Sequence, residues 1–339
     1  MKNFLYTCCV LLELISLTNC TKENVAETDK EQTHENSELT ATIEDVTTKT
    51  HLDGAKVTWK KGDQIAIQRS IEHIYNTTTL PGQKDQYKTT FGVYNLADAA
   101  ADSNIGKFNF DSSNDNSKEM ISGDEKFFAF YPASFCSGHK DNGYFYFTFP
   151  QTQKYEDVMG DKFPLPMYGV GINKKIEFKY AGSVIKLRVW ASKKDTELAS
   201  SEGNGTVINS CEVVVDGGFS NKAFTYIDKG GKWAGLNSAS NVGHFKLEME
   251  KPIPLSNDPN NPTELKIVLP LAGTTTFKNL KFSINCTKNG KHAGCELVKK
   301  SDLKIECGKI VSFPVTELTL DYTRMYIDVE LEGELDFDV

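Results

Sequence analysis

Short runs of three to eight residues, rich in Val, Ile, Phe and Tyr, recur from residue 39 almost to the end of this 339-residue chain. Turn-forming Gly, Asn, Asp or Pro closes each one. They include Leu39-Thr40-Ala41-Thr42-Ile43, Ile65-Ala66-Ile67, YFYFTF at 144–149, Val213-Val214-Val215, LKIVL at 265–269 and the runs at 184–189, 277–284 and 310–315. Runs of this length and composition read as strands, and strands at this spacing build sandwiches or barrels. No capped stretch carries apolar residues at a 3.6-residue period for more than about ten residues, which excludes a helical body. Asn142-Gly143 and Asn289-Gly290, each between strand-like runs, signal tight hairpins. The 20 Phe and 13 Tyr suit pleated surfaces. The expected fold class is all-β.

Pro164 and Pro166 in KFPLPMYG (162–169) bar a central strand there and suggest a division. The reading is an N-terminal β-sandwich over 39–175 and a C-terminal β-sandwich over 176–324. Between Ser256 and Thr263, NDPNNP holds a single Asp, which is turn chemistry rather than a calcium loop.

The first residues look like an address. Lys2 precedes an apolar stretch at 4–17 broken by Glu13, too short for a membrane span of about 20 residues and suited to a signal peptide over 1–19. Leu17-Thr18-Asn19-Cys20 resembles a bacterial lipobox, with Cys20 the residue that receives lipid and Asn19 an unusual neighbour to it. Residues 21–38 contain eight charged side chains and almost nothing apolar, so 20–38 reads as a lipidated Cys followed by a disordered tether. Such a coil spans roughly 20–25 Å r.m.s.. The partner implied is the outer membrane, reached through the lipid anchor. Lys22-Glu23 is similar to surface-export signals of Bacteroidetes lipoproteins.

The net charge of −8 argues against a nucleic-acid partner, which requires a basic face. No nucleophile elbow, metalloprotease helix, phosphate loop or dinucleotide fingerprint is present. His34, His51, His73, His139, His244 and His292 are scattered, and no two are spaced as a ligand pair. The expectation is a protein with no catalytic residues, metal or cofactor. Beyond Cys20 the body has Cys136, Cys211, Cys286, Cys295 and Cys307, with no C-x-x-C pair. A two-residue loop at Asn289-Gly290 sets Cys286 opposite Ala293 rather than Cys295, so buried thiols are expected rather than a bridge.

The chain ends in an alternation. Ile327, Val329, Leu331, Leu335, Phe337 and Val339 alternate with six carboxylates, and Gly333 takes the remaining odd position. Side chains alternate across a strand, so this segment (325–339) has one apolar and one acidic face. Two readings stay open: a strand folded back on its own domain, bent at Gly333, or a donor strand completing the sheet of a neighbouring subunit.

The run Thr48-Lys49-Thr50-His51-Leu52-Asp53-Gly54, continued by Trp59-Lys60-Lys61-Gly62-Asp63-Gln64-Ile65, resembles the start of the fimbrillin-like lipoproteins of Bacteroidales, the family of major and minor fimbrium subunits. Phe128-Ala129-Phe130-Tyr131-Pro132, Phe149-Pro150-Gln151-Thr152-Gln153, Pro166-Met167-Tyr168 and Cys307-Gly308-Lys309-Ile310-Val311 extend the likeness over nearly the whole chain. Trp59 reads as a core anchor and Gly62-Asp63 as a turn.

The resemblance implies two tandem transthyretin-like β-sandwich domains and export as a lipoprotein, palmitate-modified at the cysteine. It also implies service as a stalk, tip or accessory fimbrial subunit at the cell outer membrane or surface. Its partners would be other fimbrial subunits, joined by strand complementation, and a host or bacterial surface ligand in cell adhesion. In stalk members an Arg-specific protease removes an N-terminal strand, and the next subunit's C-terminal strand fills the groove. Leu39 to Ile43 is the removable strand this implies. No arginine lies between Cys20 and Arg69, so Lys49 and Arg69 are the candidate processing sites. The alternative is a non-polymerising surface lipoprotein that binds glycan or protein through an aromatic patch such as Trp233 with Tyr226. Cys20→Ser should release the protein from the membrane fraction, read by detergent partitioning and intact mass; a membrane-bound, lipid-free variant would refute the anchor.

Overall fold

A computed structural model describes residues 38–43, 58–69, 72–74, 86–88, 91–98, 103–113, 127–138, 144–160, 162–192, 205–216, 222–226, 237–238, 242–271, 273–320, 327–331 and 336–338. They are almost entirely strands. The first half holds β1 (Leu39–Ile43), β2 (Gln64–Arg69), β3 (Glu72–Ile74), β4 (Gln86–Lys88), β5 (Phe91–Asp98), β6 (Ile105–Phe110) and β7 (Phe127–Tyr131). There follow β8 (Cys136–Gly138), β9 (Tyr144–Thr148), β10 (Thr152–Lys154), the one-turn helix α1 (Tyr155–Met159), β11 (Met167–Ile172) and β12 (Lys175–Tyr180).

The N-terminal sheet does not stay open as a sandwich layer. Its order is β1-β12-β11-β7-β2-β5-β6, and β1 pairs parallel with β12 and antiparallel with β6, so the sheet closes on itself as a barrel. Leu39, Ala41, Ile43, Ile65, Ile67, Tyr94, Phe108, Phe127, Ala129, Ile176 and Phe178 fill the interior. Ala66, Phe128 and Phe130, on the opposite faces of β2 and β7, are also buried. Strands covered on both faces read as continuous apolar runs, which is why Phe127 to Phe130 shows no alternation.

The second half holds β13 (Gly182–Trp190), β14 (Val207–Asp216), β15 (Lys222–Tyr226), β16 (Asn237–Ser238), β17 (Val242–Pro254), β18 (Thr263–Pro270) and β19 (Thr275–Lys288). It ends with β20 (Lys291–Lys299), β21 (Leu303–Ile305), β22 (Ile310–Ser312), β23 (Thr316–Glu317), β24 (Ile327–Glu330) and β25 (Asp336–Asp338). Two sheets face each other. One runs β10-β17-β14-β19-β20-β24 with β21 beside β19, and the other runs β18-β13-β22-β25 with β23 beside β13.

The division between halves differs from the sequence expectation. β12 completes the barrel, so the chain passes to the second half at Ala181, after β10 has already paired with β17. One hydrophobic cluster joins the barrel's outer face to the second half. Its rings step from Phe130 to Phe147 (6.3 Å), Phe135 (5.7 Å), Phe149 (5.4 Å) and Phe245 (5.9 Å).

Gln153 ties the two facing sheets. Its backbone lies in β10, while its buried side chain donates to the Val268 carbonyl (2.6 Å) and accepts from the Val268 N–H (2.9 Å), as a neighbouring strand would. The β19–β20 hairpin turns on Asn289-Gly290, both at positive φ (51° and 73°), with Lys288 opposite Lys291. Positive φ at both central positions is what an Asn-Gly type I′ turn requires. The strands flanking Asn142-Gly143, β8 and β9, also pair, although that turn lies outside the described residues. Asp258 accepts the Asn260 N–H at 2.9 Å in an Asx turn.

Cys286 stands opposite Ala293, and Cys136, Cys211, Cys286, Cys295 and Cys307 form no disulfide with one another. Burial pushes the Cys211 and Cys286 thiols up to about 12 from an ordinary 9.0. The fold thus prefers their neutral form, and that preference is fully present below pH 9 and lost as pH rises towards 12. We predict that Ellman's reagent reacts with these two thiols only on denaturation. The denaturation midpoint should fall progressively above pH 9, and a midpoint flat to pH 11 would contradict the burial.

Candidate strand-exchange site

β1 is a short strand laced between two others. Leu39 and Ala41 are fully inaccessible and Ile43 is 2% exposed, while Thr40 and Thr42 lie between them on the other face. Its backbone bonds run both ways: the Thr40 N–H donates to the Lys174 carbonyl (2.9 Å) and the Ile43 N–H to the Asn104 carbonyl (2.9 Å). At the rim, Lys107 pairs with Glu38 at 2.9 Å, both well exposed and so of small energetic weight.

Trp59 forms the floor. Its ring packs edge-on against Phe108 (4.9 Å), Tyr131 (5.4 Å) and Phe178 (5.5 Å). Its Nε1–H reaches the carbonyls of Ala41 (3.2 Å) and Asn104 (3.1 Å), one on β1 and one just before β6. Asn104 in turn donates from Nδ2 to the Ile43 carbonyl (3.2 Å). The turn after Trp59 is held by Asp63, which accepts the Lys60 N–H (2.7 Å) and the Tyr131 hydroxyl (2.8 Å). Burial nevertheless keeps the Asp63 carboxyl above its usual range, and burial together with the Asp63 charge pushes the Tyr131 phenol up. The Trp-x-x-Gly-Asp pattern is therefore a clamp that sets the indole under β1.

The row at Ala41 is narrow. Gly106 faces Ala41 across the β1–β6 ladder, and a Cβ there would lie 2.8 Å from Trp59 Cδ1 and 2.7 Å from Leu96 Cδ1. β1 itself presents a large, a small and a large residue, Leu39, Ala41 and Ile43, at its buried alternate positions. Asn104 and Gly106 were not singled out in the sequence; a Gly inside a strand-like run signals close backbone approach and could have marked the latter.

The C-terminal segment is two strands rather than one. β24 pairs parallel with β20, placing Ile327 opposite Cys295 and Val329 opposite Leu297. Leu331 is 4% exposed and its N–H donates to the Val298 carbonyl at 2.9 Å. β25 pairs antiparallel with β22 in the other sheet, with Phe337 opposite Val311. The two strands thus lie at the edges of two different sheets, and residues 332–335 between them lie outside the described residues. Leu335 and Val339 lie outside the described residues, as do Cys20, Lys49 and Trp233. Tyr226 ends β15. Arg69 ends β2, opposite Phe127. Cleavage after Arg69 would remove Trp59 and β2 together with β1, dismantling the barrel instead of opening a slot, so Arg69 is set aside as a processing site.

No protein-family model matches this sequence, and no curated protein does. Solved structures to which the chain is similar include a candidate cell adhesion protein from Bacteroides uniformis, at 13% identity and TM-score 0.37, covering 90% of this chain and 96% of that one. A candidate cell adhesion protein from Bacteroides eggerthii is similar at 10% identity and TM-score 0.38, covering 89% and 94%. The tip fimbrial protein Mfa3 from Porphyromonas gingivalis, with a C-terminal truncation, is similar at 7% identity and TM-score 0.33, covering 88% and 97%.

Two substitutions test the slot. Trp59→Ala removes a buried ring and should cost about 3–5 kcal/mol in urea unfolding. Gly106→Leu should cost about 1–3 kcal/mol through overpacking. For the second, amide exchange should rise at Thr40 and Ile43 while β14 and β19 keep their protection. Unchanged exchange at β1 would show that the row at Ala41 is not narrow.

Proposed function

We propose that this chain is a fimbrillin-like surface lipoprotein, a structural and adhesive subunit that joins its neighbours by strand exchange. The observation that carries the reading is β1: five residues, paired on both sides, whose departure would leave the facing edges of β6 and β12 one strand apart over a tryptophan floor. The transthyretin-like description of each half, the lipid anchor at Cys20 and the outer-membrane location belong to the same proposal, as does the absence of catalysis. Lys49, in the stretch linking β1 to Trp59, is the basic residue at which processing would free the slot.

Slot and donor match in residue size. Leu39-Ala41-Ile43 is a large-small-large series at alternate positions, and within 327–339 only Leu331-Gly333-Leu335 repeats it. The donor register follows: Gly333 takes the place of Ala41 above Trp59, and Leu331 and Leu335 take the outer positions. To donate, the segment must leave β20 and β22. Both contacts are short and lie at sheet edges, so the ladder bonds lost at home are replaced on the neighbour.

The second reading, a surface-binding lipoprotein that does not polymerise, is favoured by one observation, the lack of any arginine between Cys20 and Arg69. A peptide of residues 327–339 added to a chain that starts at residue 58 separates the two. Strand exchange expects saturable 1:1 binding, weakened about 10- to 100-fold by Gly333→Leu in the peptide. Absence of peptide binding to a folded truncated chain would leave the second reading.

A further inference from the structure

Residue size places Gly333 at Ala41 but does not say which way the incoming strand runs. Leu331-Glu332-Gly333-Glu334-Leu335 reads the same in both directions, with an acid, Glu330 or Asp336, at either end. The walls of the slot are not symmetric. The Lys174 carbonyl, just before β12, takes the Thr40 N–H at 2.9 Å. On the β6 side Asn104 takes the Ile43 N–H at 2.9 Å and returns its Nδ2–H to the Ile43 carbonyl at 3.2 Å. The Trp59 Nε1–H meets the Ala41 carbonyl at 3.2 Å. A strand turned end for end with the same side chains inward points each N–H and C=O at the opposite wall. Charge differs along the slot as well. The position of Thr40 lies between Lys107 and Lys175, and that of Thr42 between Ile105 and Glu177, all four of them exposed.

We infer that the slot fixes the direction of its donor, which runs parallel to β12 as β1 does, and that Lys107 and Lys175 are the side chains that select it. The inference rests on strand exchange between copies of this chain. In that direction the Glu332 N–H meets the Lys174 carbonyl, the Gly333 carbonyl meets the Trp59 indole, and Leu335 takes both bonds of Asn104. Run backwards, Glu334 holds the position of Thr40 with its N–H towards β6, and these bonds are lost. Opposite charges directly across a ladder attract, and like charges repel. Forward, Glu332 therefore gains two ammonium neighbours, while Glu334 faces Glu177 on one side and uncharged Ile105 on the other. Lys107 already serves the resident strand in this way, pairing with Glu38 at 2.9 Å. Glu330 takes the place of Glu38 in the same register. The two acids beside Gly333 thus carry opposite weights: Glu332 holds the strand, and Glu334 opposes it. The slot accordingly selects a strand with a carboxylate just before its small residue and disfavours one with a basic residue there.

For the test, the full chain carries a site-specific protease sequence in place of residues 48–54 and is cut once after folding, so that β1 stays seated until a peptide displaces it. Peptides of residues 327–339, unchanged or with Glu332→Lys or Glu334→Lys, are titrated, and one peptide bound per chain is read by native mass spectrometry. The expected result is that Glu332→Lys binds at least about fivefold more weakly than the unchanged peptide and Glu334→Lys at least about twofold more tightly. On a Lys107→Glu/Lys175→Glu chain the order of the unchanged and Glu332→Lys peptides reverses; both lysines are exposed, so the fold survives the change. The two peptide substitutions add the same charge, so equal affinities, or shifts of the same sign, overturn the inference and leave strand exchange standing. The opposite pattern, with Glu334→Lys the weaker, overturns it by placing the donor backwards. If none of the peptides binds, strand exchange falls and this inference falls with it.

Discussion

A strand edge is a row of unpaired N–H and C=O groups, and every edge must be paired, covered or left to attract another chain. That constraint organises this protein. In the N-terminal half β1 satisfies two edges at once and turns an open sheet into a barrel, with the Trp59 indole bonded to carbonyls on both sides of the seam. In the C-terminal half the free edge of β18 is answered at Val268 by the Gln153 amide. The edges of β20 and β22 are answered by β24 and β25. Each edge is finished by a piece only one to five residues long.

The contrast between these pieces and the body decides what can move. The aromatic path from Phe130 to Phe245 and the cluster around it run through both halves, so the halves cannot separate without exposing a shared core. β1 contributes only two large buried side chains, at about 1.5–3 kcal/mol each before ordering costs. Leu331 and Leu335 in the same slot would bury two large side chains as well, a contribution of the same size. An exchange of equal numbers of ladder bonds is close to balanced. The long β14, β17 and β19 strands at the centre of their sheet have no such substitute.

Much of this was legible in the residues. Short bounded runs established an all-β body, Asn289-Gly290 announced a hairpin with Cys286 opposite Ala293, and Trp59 and Gly62-Asp63 announced an anchor and a turn. Closure of the barrel was not legible, because whether Leu39 to Ile43 joins one strand or two depends on the distance between the edges of β6 and β12. The division near residue 175 was misplaced for a related reason. Two prolines before β11 interrupt the chain without ending the domain, and the Phe-rich run at 144–149 packs across both halves. Gln153 sat within a recognised motif, yet its amide matters only because Val268, 115 residues away, arrives beside it.

The C-terminal segment shows where such pattern reading stops. Alternation reports that one face of a strand is buried and says nothing of which sheet buries it. On its own chain the register sets Ile327 and Val329 of β24 opposite Cys295 and Leu297, which are buried, and Asp328 opposite Glu296. The Lys281 ammonium lies 2.6 Å from the Glu296 carboxylate. On a neighbour's slot, with Gly333 at the place of Ala41, Glu332 would lie beside Lys107 and Lys175, the register partners of Thr40, and Glu334 beside Glu177, a register partner of Thr42. The acidic face would therefore meet both lysines and an acid in the slot.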